Sequence, residues 1–135
     1  MSLLNSRISE YNRNAVLSAT PSQLLTMLYD RLLLDLSRAQ LAQREERWQA
    51  ASTQLIHAQA IIAELQSSLN VDEWDGAQGL MALYVYLNTA MINANINRDQ
   101  ALTAECIQHL EPLRQAWVQA ASAGQSSASQ GWGVA

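Results

Sequence analysis

Two histidines, His57 and His109, the single cysteine Cys106 and twelve acidic residues are the side chains of this chain with the means to do chemistry. A di-iron centre in a helical bundle needs several inward Glu residues and two Glu-x-x-His pairs. Neither histidine stands three residues after a Glu. Glu105 and His109, four apart, share a helix face, but two ligands do not make a metal site, and a surface hydrogen bond fits them better. Cys106 and His109 are three apart. Cys106, however, falls on an apolar stripe, where burial raises a thiol's pKa and dulls it. No Gly-rich phosphate loop, nucleophile elbow or paired acids in a pocket-forming context is present. The expectation is no catalytic residue, no metal, no cofactor and no enzyme.

Composition narrows the classes further. The formal charge of −4, with no basic stripe along the chain, argues against nucleic acid as a partner. No apolar run is long enough to span a membrane and no secretory leader pattern opens the chain, so membrane insertion is not expected and the cytoplasm is. One cysteine cannot close an internal disulfide, which fits a reducing compartment. At 135 residues the chain suits one domain and one core. Apolar residues make up 49% and charged residues 15%, little charge for a helical surface and a hint of apolar area left for a partner.

The elements that would position such a surface are helices. Leu4, Ile8, Tyr11 and Ala15 form a short, interrupted stripe, so residues 1–19 are expected to be a mobile arm. Thr20, Pro21 and Gln23 then spell a capped helix start. Helices are predicted over about 21–42, 47–69, 77–95 and 98–122. The polar connection Gln43 to Arg47 is short enough to force antiparallel neighbours. Asp72 or Asp75 is expected to cap the third helix, and Asn97 the fourth. Pro112 is expected to kink the fourth helix. Residues 123–135, rich in Gly, Ser and Gln, are expected to be a disordered tail. The architecture expected is all-α, an antiparallel four-helix bundle over 20–122 between two loose ends.

The helices differ in how much they must bury. Trp48, Ala51, Leu55, Ala58, Ile62, Leu65 and Leu69 make a single heptad seam in the second. The first carries Leu24, Leu25, Met27, Leu28, Tyr29, Leu32, Leu33, Leu34 and Leu36, far more than one face. The third adds Met81, Val85, Tyr86 and Ile92 to its stripe of Leu80, Leu83, Tyr84, Leu87, Met91 and Ala94. The fourth stripe is Leu102, Cys106, Leu110, Leu113, Trp117 and Ala120. Surplus apolar surface on a soluble protein marks a binding face. A partner helix in a groove, or a wrapped extended segment, is the mode it would serve.

Several pieces of the sequence are more specific. Tyr11, Ala19-Thr20-Pro21, Leu24 through Asp30 (LLTMLYD), Ala58 through Leu69 (AQAIIAELQSSL), Leu80 through Asp99, and Leu113-Arg114-Gln115-Ala116-Trp117 stand in one order at fitting intervals over about residues 8–120. In these the chain resembles the FliS family, the flagellin-specific export chaperones of bacterial flagellar assembly. The resemblance implies a four-helix bundle that binds the disordered C-terminal segment of flagellin and keeps subunits monomeric in the cytoplasm. It also implies presentation of the loaded subunit to the cytoplasmic domain of the flagellar export gate, without nucleotide or metal.

On that reading the flagellin-binding groove is assigned to Tyr29, Leu33, Tyr84, Leu87, Met91 and Ile92. Ile8 and Tyr11 of the arm either cover the groove or dock the export gate. Core packing stays open as the other role of the groove residues, Tyr84, Leu87 and Met91 above all. Two features depart from the family's usual look: a bulky Trp74 in the connection over 70–79, and Pro112 in the last helix. The competing class is a self-associating helical scaffold, which predicts a constitutive oligomer. The chaperone predicts a monomer or weak homodimer that forms a one-to-one complex.

Overall fold

The computed structural model of the chain describes residues 18–134, with side chains through Ala123. Four long helices follow one another: α1 (Pro21–Arg44), α2 (Trp48–Ser68), α3 (Ala77–Ile96) and α4 (Gln100–Val134). No strand occurs among the described residues. The arm assigned to residues 1–19, with Ile8 and Tyr11, lies outside the described residues except for Ser18 and Ala19. So do the side chains of the expected tail from Gly124 onward. The backbone of α4 is helical through Pro112 and past the boundary expected near Ser122.

The capping box that opens α1 is complete. Thr20 Oγ1 accepts the Gln23 N–H at 3.2 Å and Gln23 Oε1 accepts the Thr20 N–H at 2.9 Å, with Pro21 in the first turn, where an N–H would find no partner. The connections after α1 and α3 resemble each other. Glu46 (φ 58°) and Arg98 (φ 52°) take the left-handed conformation that usually favours glycine. Behind them the Arg47 N–H reaches the Ala42 carbonyl at 2.8 Å, and the Asp99 N–H reaches Ala94 at 2.9 Å, as in a Schellman ending. The Arg98 guanidinium lies 4.9 Å from the centre of the Trp48 ring, so the two turns meet at one end of the bundle.

Two expected caps are corrected. Gly76, not Asp72 or Asp75, holds the capping position of α3, with no side-chain bond. The Asn70 side chain instead accepts the Asp72 N–H, at 3.1 Å, and folds the connection back on itself. Asn97 ends α3, and Asp99 caps α4 by accepting the Leu102 N–H at 3.2 Å. The left-handed turn at Arg98 accounts for that shift.

The helices form a ring in which α1 packs on α2 and α4, and α3 on the same two. The core inside it contains Leu32 and Leu36 of α1, Leu55, Ile62 and Leu65 of α2, Leu87 and Met91 of α3, and Cys106 and Leu110 of α4. Three polar side chains are buried with it. Gln43 donates to the Ala94 carbonyl at 3.2 Å and accepts from Thr103 Oγ1 at 2.8 Å, tying α1 to α3 and α4. Asp35 accepts from Arg31 Nε at 3.0 Å and pairs with His57 of α2. Each of these three side chains therefore has a partner, as a low-dielectric interior requires.

Candidate functional site: an apolar groove between α3 and α4

The six residues assigned to the groove from sequence do not form one open surface. Tyr29, Tyr84, Leu87 and Met91 are at most 2% exposed and belong to the core. Leu33 is partly buried against them, and Ile92 lies on the outside of α3. Their placement has a simple cause. Tyr84, Leu87 and Met91, spaced three and four apart, form the one stripe of α3 that must face the ring's interior, and Tyr29 meets Tyr84 across it. The apolar surplus itself is real. Leu34, Leu41, Ile56, Val85, Tyr86 and Ile96 are all exposed.

What the structure opens instead is a groove of about 680 Å³. Gly76, Gly79, Leu80 and Leu83 line it from α3 and its first turn, Leu113, Ala116, Trp117 and Ala120 from α4, and Trp74 from the preceding connection. Small residues make the room. A Cβ added at Gly79 would meet nothing within 4 Å, and Ala116 and Ala120 leave a shallow wall opposite. Trp74 closes one end, packing so tightly over Gly76 that a Cβ there would sit 2.1 Å from the indole ring. The Trp74 and Trp117 rings meet edge to face, 6.4 Å between centroids and 89° between planes. Trp117 presents a ring to the groove while its Nε1–H is buried beside the Tyr29 hydroxyl without forming a hydrogen bond.

Burial, with the Glu105 charge adding to it, pushes the Cys106 thiol up to about 12, so the thiolate is suppressed. Tyr86 donates to both carboxylate oxygens of Glu105 at 2.9 Å, and its ring meets His109 edge to face. That bond, which needs the phenol's proton, holds the Tyr86 hydroxyl above its usual range. Among the described residues no group of three His, Cys, Asp or Glu side chains could hold a metal ion. No helix among them is long and apolar enough to cross a membrane. What the groove offers is apolar area.

Most of this groove leaves little trace in the sequence, because its signal is the absence of bulk. Gly76 and Gly79, with Ala116 and Ala120 on the facing helix, mark where two helices stop filling the space between them. Trp74 was the visible cue, a large apolar ring in a polar connection.

Comparison with known proteins agrees in extent with this bundle. Residues 4–124 match the family model described as "Flagellar protein FliS". A protein of Bacillus subtilis (strain 168) named "Flagellar secretion chaperone FliS" is 35% identical over 111 residues, covering 82% of each chain. Its namesake in Escherichia coli (strain K12) is 34% identical over 106 residues, 77% of this chain and 78% of that one. The chain belongs to the FliS family.

Proposed function

We propose that this protein is a flagellar secretion chaperone that holds the C-terminal segment of flagellin in the α3–α4 groove. It keeps the subunit monomeric in the cytoplasm and delivers it to the export apparatus, with no catalytic step. The names of its relatives support the role in flagellar secretion. The observation that carries the site is the groove itself, open and lined by Leu80, Leu83, Leu113 and Trp117. An apolar groove of this kind fits an amphipathic helix that orders as it binds. Residues Ile8 and Tyr11 of the arm are the candidates for docking the export gate, whose cytoplasmic domain would be the second partner.

The direct test is calorimetry of the full chain with the C-terminal segment of flagellin from the same genome. A one-to-one complex with a large negative heat-capacity change is expected, and Leu83→Asp should abolish it in a protein that still folds. A folded protein that binds no flagellin segment would overturn the reading. A constitutive oligomer would then point to the self-associating scaffold.

A further inference from the structure

The groove is lined by apolar and small residues, and the connection that carries Trp74 into it is acidic. Trp74 closes one end, and around it in the same connection stand Asp72, Glu73 and Asp75, all exposed. None of the three takes part in an ion pair among the described residues. At the other end Glu105 and His109 continue the face of α4 that leads, four residues at a time, into Leu113. Glu105 accepts the Tyr86 hydroxyl there and lies 3.9 Å from His109 Nε2. The basic residue next to the groove on α4, Arg114, is occupied by Asp30 of α1. The other described arginines belong to α1 or to the turns at the far end of the bundle, where Arg98 stacks on Trp48.

An apolar floor fixes how much of a partner is buried, whereas rim charges of one sign select which partner arrives. We propose that the groove takes a cationic amphipathic helical segment, apolar residues against Leu80, Leu83, Leu113 and Trp117, and Lys or Arg against the Asp72–Asp75 connection. This rests on the docking role proposed above and adds the charge of the docked segment. The acidic connection does for specificity what the leucines do for area. A segment carrying Glu or Asp at that end meets three like charges, two of them adjacent to the ring that closes the groove.

Two synthetic helical peptides of the same apolar stripe test this, one with two Arg at the end that meets the connection and one with two Glu, each titrated into the full-length chain. Exposed ion pairs are each worth a factor of about 1.4–5 in affinity. With two such pairs, the Arg peptide should therefore bind at least about two-fold more tightly than the Glu peptide at low salt. The preference should shrink in 1 M salt, where screening acts within about 3 Å. The triple variant Asp72→Asn, Glu73→Gln, Asp75→Asn, altered only at exposed positions, should lose most of it, and Glu45→Gln with Glu46→Gln at the far end should keep it. Equal binding of the two peptides, or a preference unchanged by the triple variant, overturns the inference. The flagellin segment run in parallel separates the two claims. Flagellin binding indifferent to the triple variant would sink the charge rule and leave the chaperone reading standing. Peptide discrimination without flagellin binding would do the reverse.

Discussion

The hydroxyl oxygens of Tyr29 and Tyr84 lie 2.5 Å apart in the buried centre of the bundle, although α1 and α3 occupy opposite corners of the ring. One donates to the other, and the pair clasps the two helices through the core. Burial pushes both hydroxyls above their ordinary pKa. A pair of tyrosines that could be taken for partner anchors is thus the polar centre of the fold.

A double-mutant cycle should read this clasp. Tyr29→Phe or Tyr84→Phe alone leaves one buried hydroxyl without its partner, at a cost of about 1–3 kcal/mol in urea unfolding. The double variant should lose less than the sum of the two. Strict additivity would mean that the hydroxyls do not interact.

Cys106 should be silent toward thiol reagents at pH 8 in the native protein and react fully in urea. Its folded pKa of about 12 stands above the usual 9, so the folded state holds the proton more tightly. Stability from this group is fully present below pH 9 and falls as pH rises toward 12. The slope is at most about 1.4 kcal/mol per pH unit. Cys106→Ala should flatten the alkaline limb measured by denaturant titration, and an unchanged limb would contradict the assignment.

Gln43 joins three helices through one amide. Gln43→Leu would leave the Ala94 carbonyl and the Thr103 hydroxyl without that partner inside the core. A loss of about 2 kcal/mol or more is expected from chemical denaturation. A near-neutral result would show that water or a local shift replaces the amide.

Gly79→Leu separates binding from folding. The site has open space around it, and leucine favours a helix over glycine by up to about 1 kcal/mol, so thermal stability should hold or rise. The new side chain would fill the groove, and binding of the flagellin segment should drop at least about ten-fold. Gly76→Ala should act through Trp74 instead, dislodging the indole.

The bundle was legible because its signals are local. Thr20, Pro21 and Gln23 mark a helix start without tertiary help, and the seam from Ala51 to Leu65 in α2 matches the buried residues there. The division of the surplus was not legible. Tyr84 and Val85 are neighbours of similar apolar character, and only the ring geometry buries one and exposes the other. Buried polar partners such as Asp35 with His57, 22 residues apart, or Gln43 with Thr103, 60 apart, leave no periodic trace. The groove was hidden for the same reason, since it depends on where glycines and alanines of α3 and α4 face each other.

The central claim, that the α3–α4 groove receives the flagellin segment, is tested most directly by the indole N–H signals of Trp74, Trp117 and Trp48 in two-dimensional NMR as that segment is added. Trp74 and Trp117 line the groove, and Trp48 sits at the far end of the bundle beneath Arg98. Saturable shifts of Trp74 and Trp117 at one equivalent, with Trp48 unmoved, are the predicted result. Binding that moves Trp48 and leaves Trp74 and Trp117 in place would put the segment elsewhere and contradict the account.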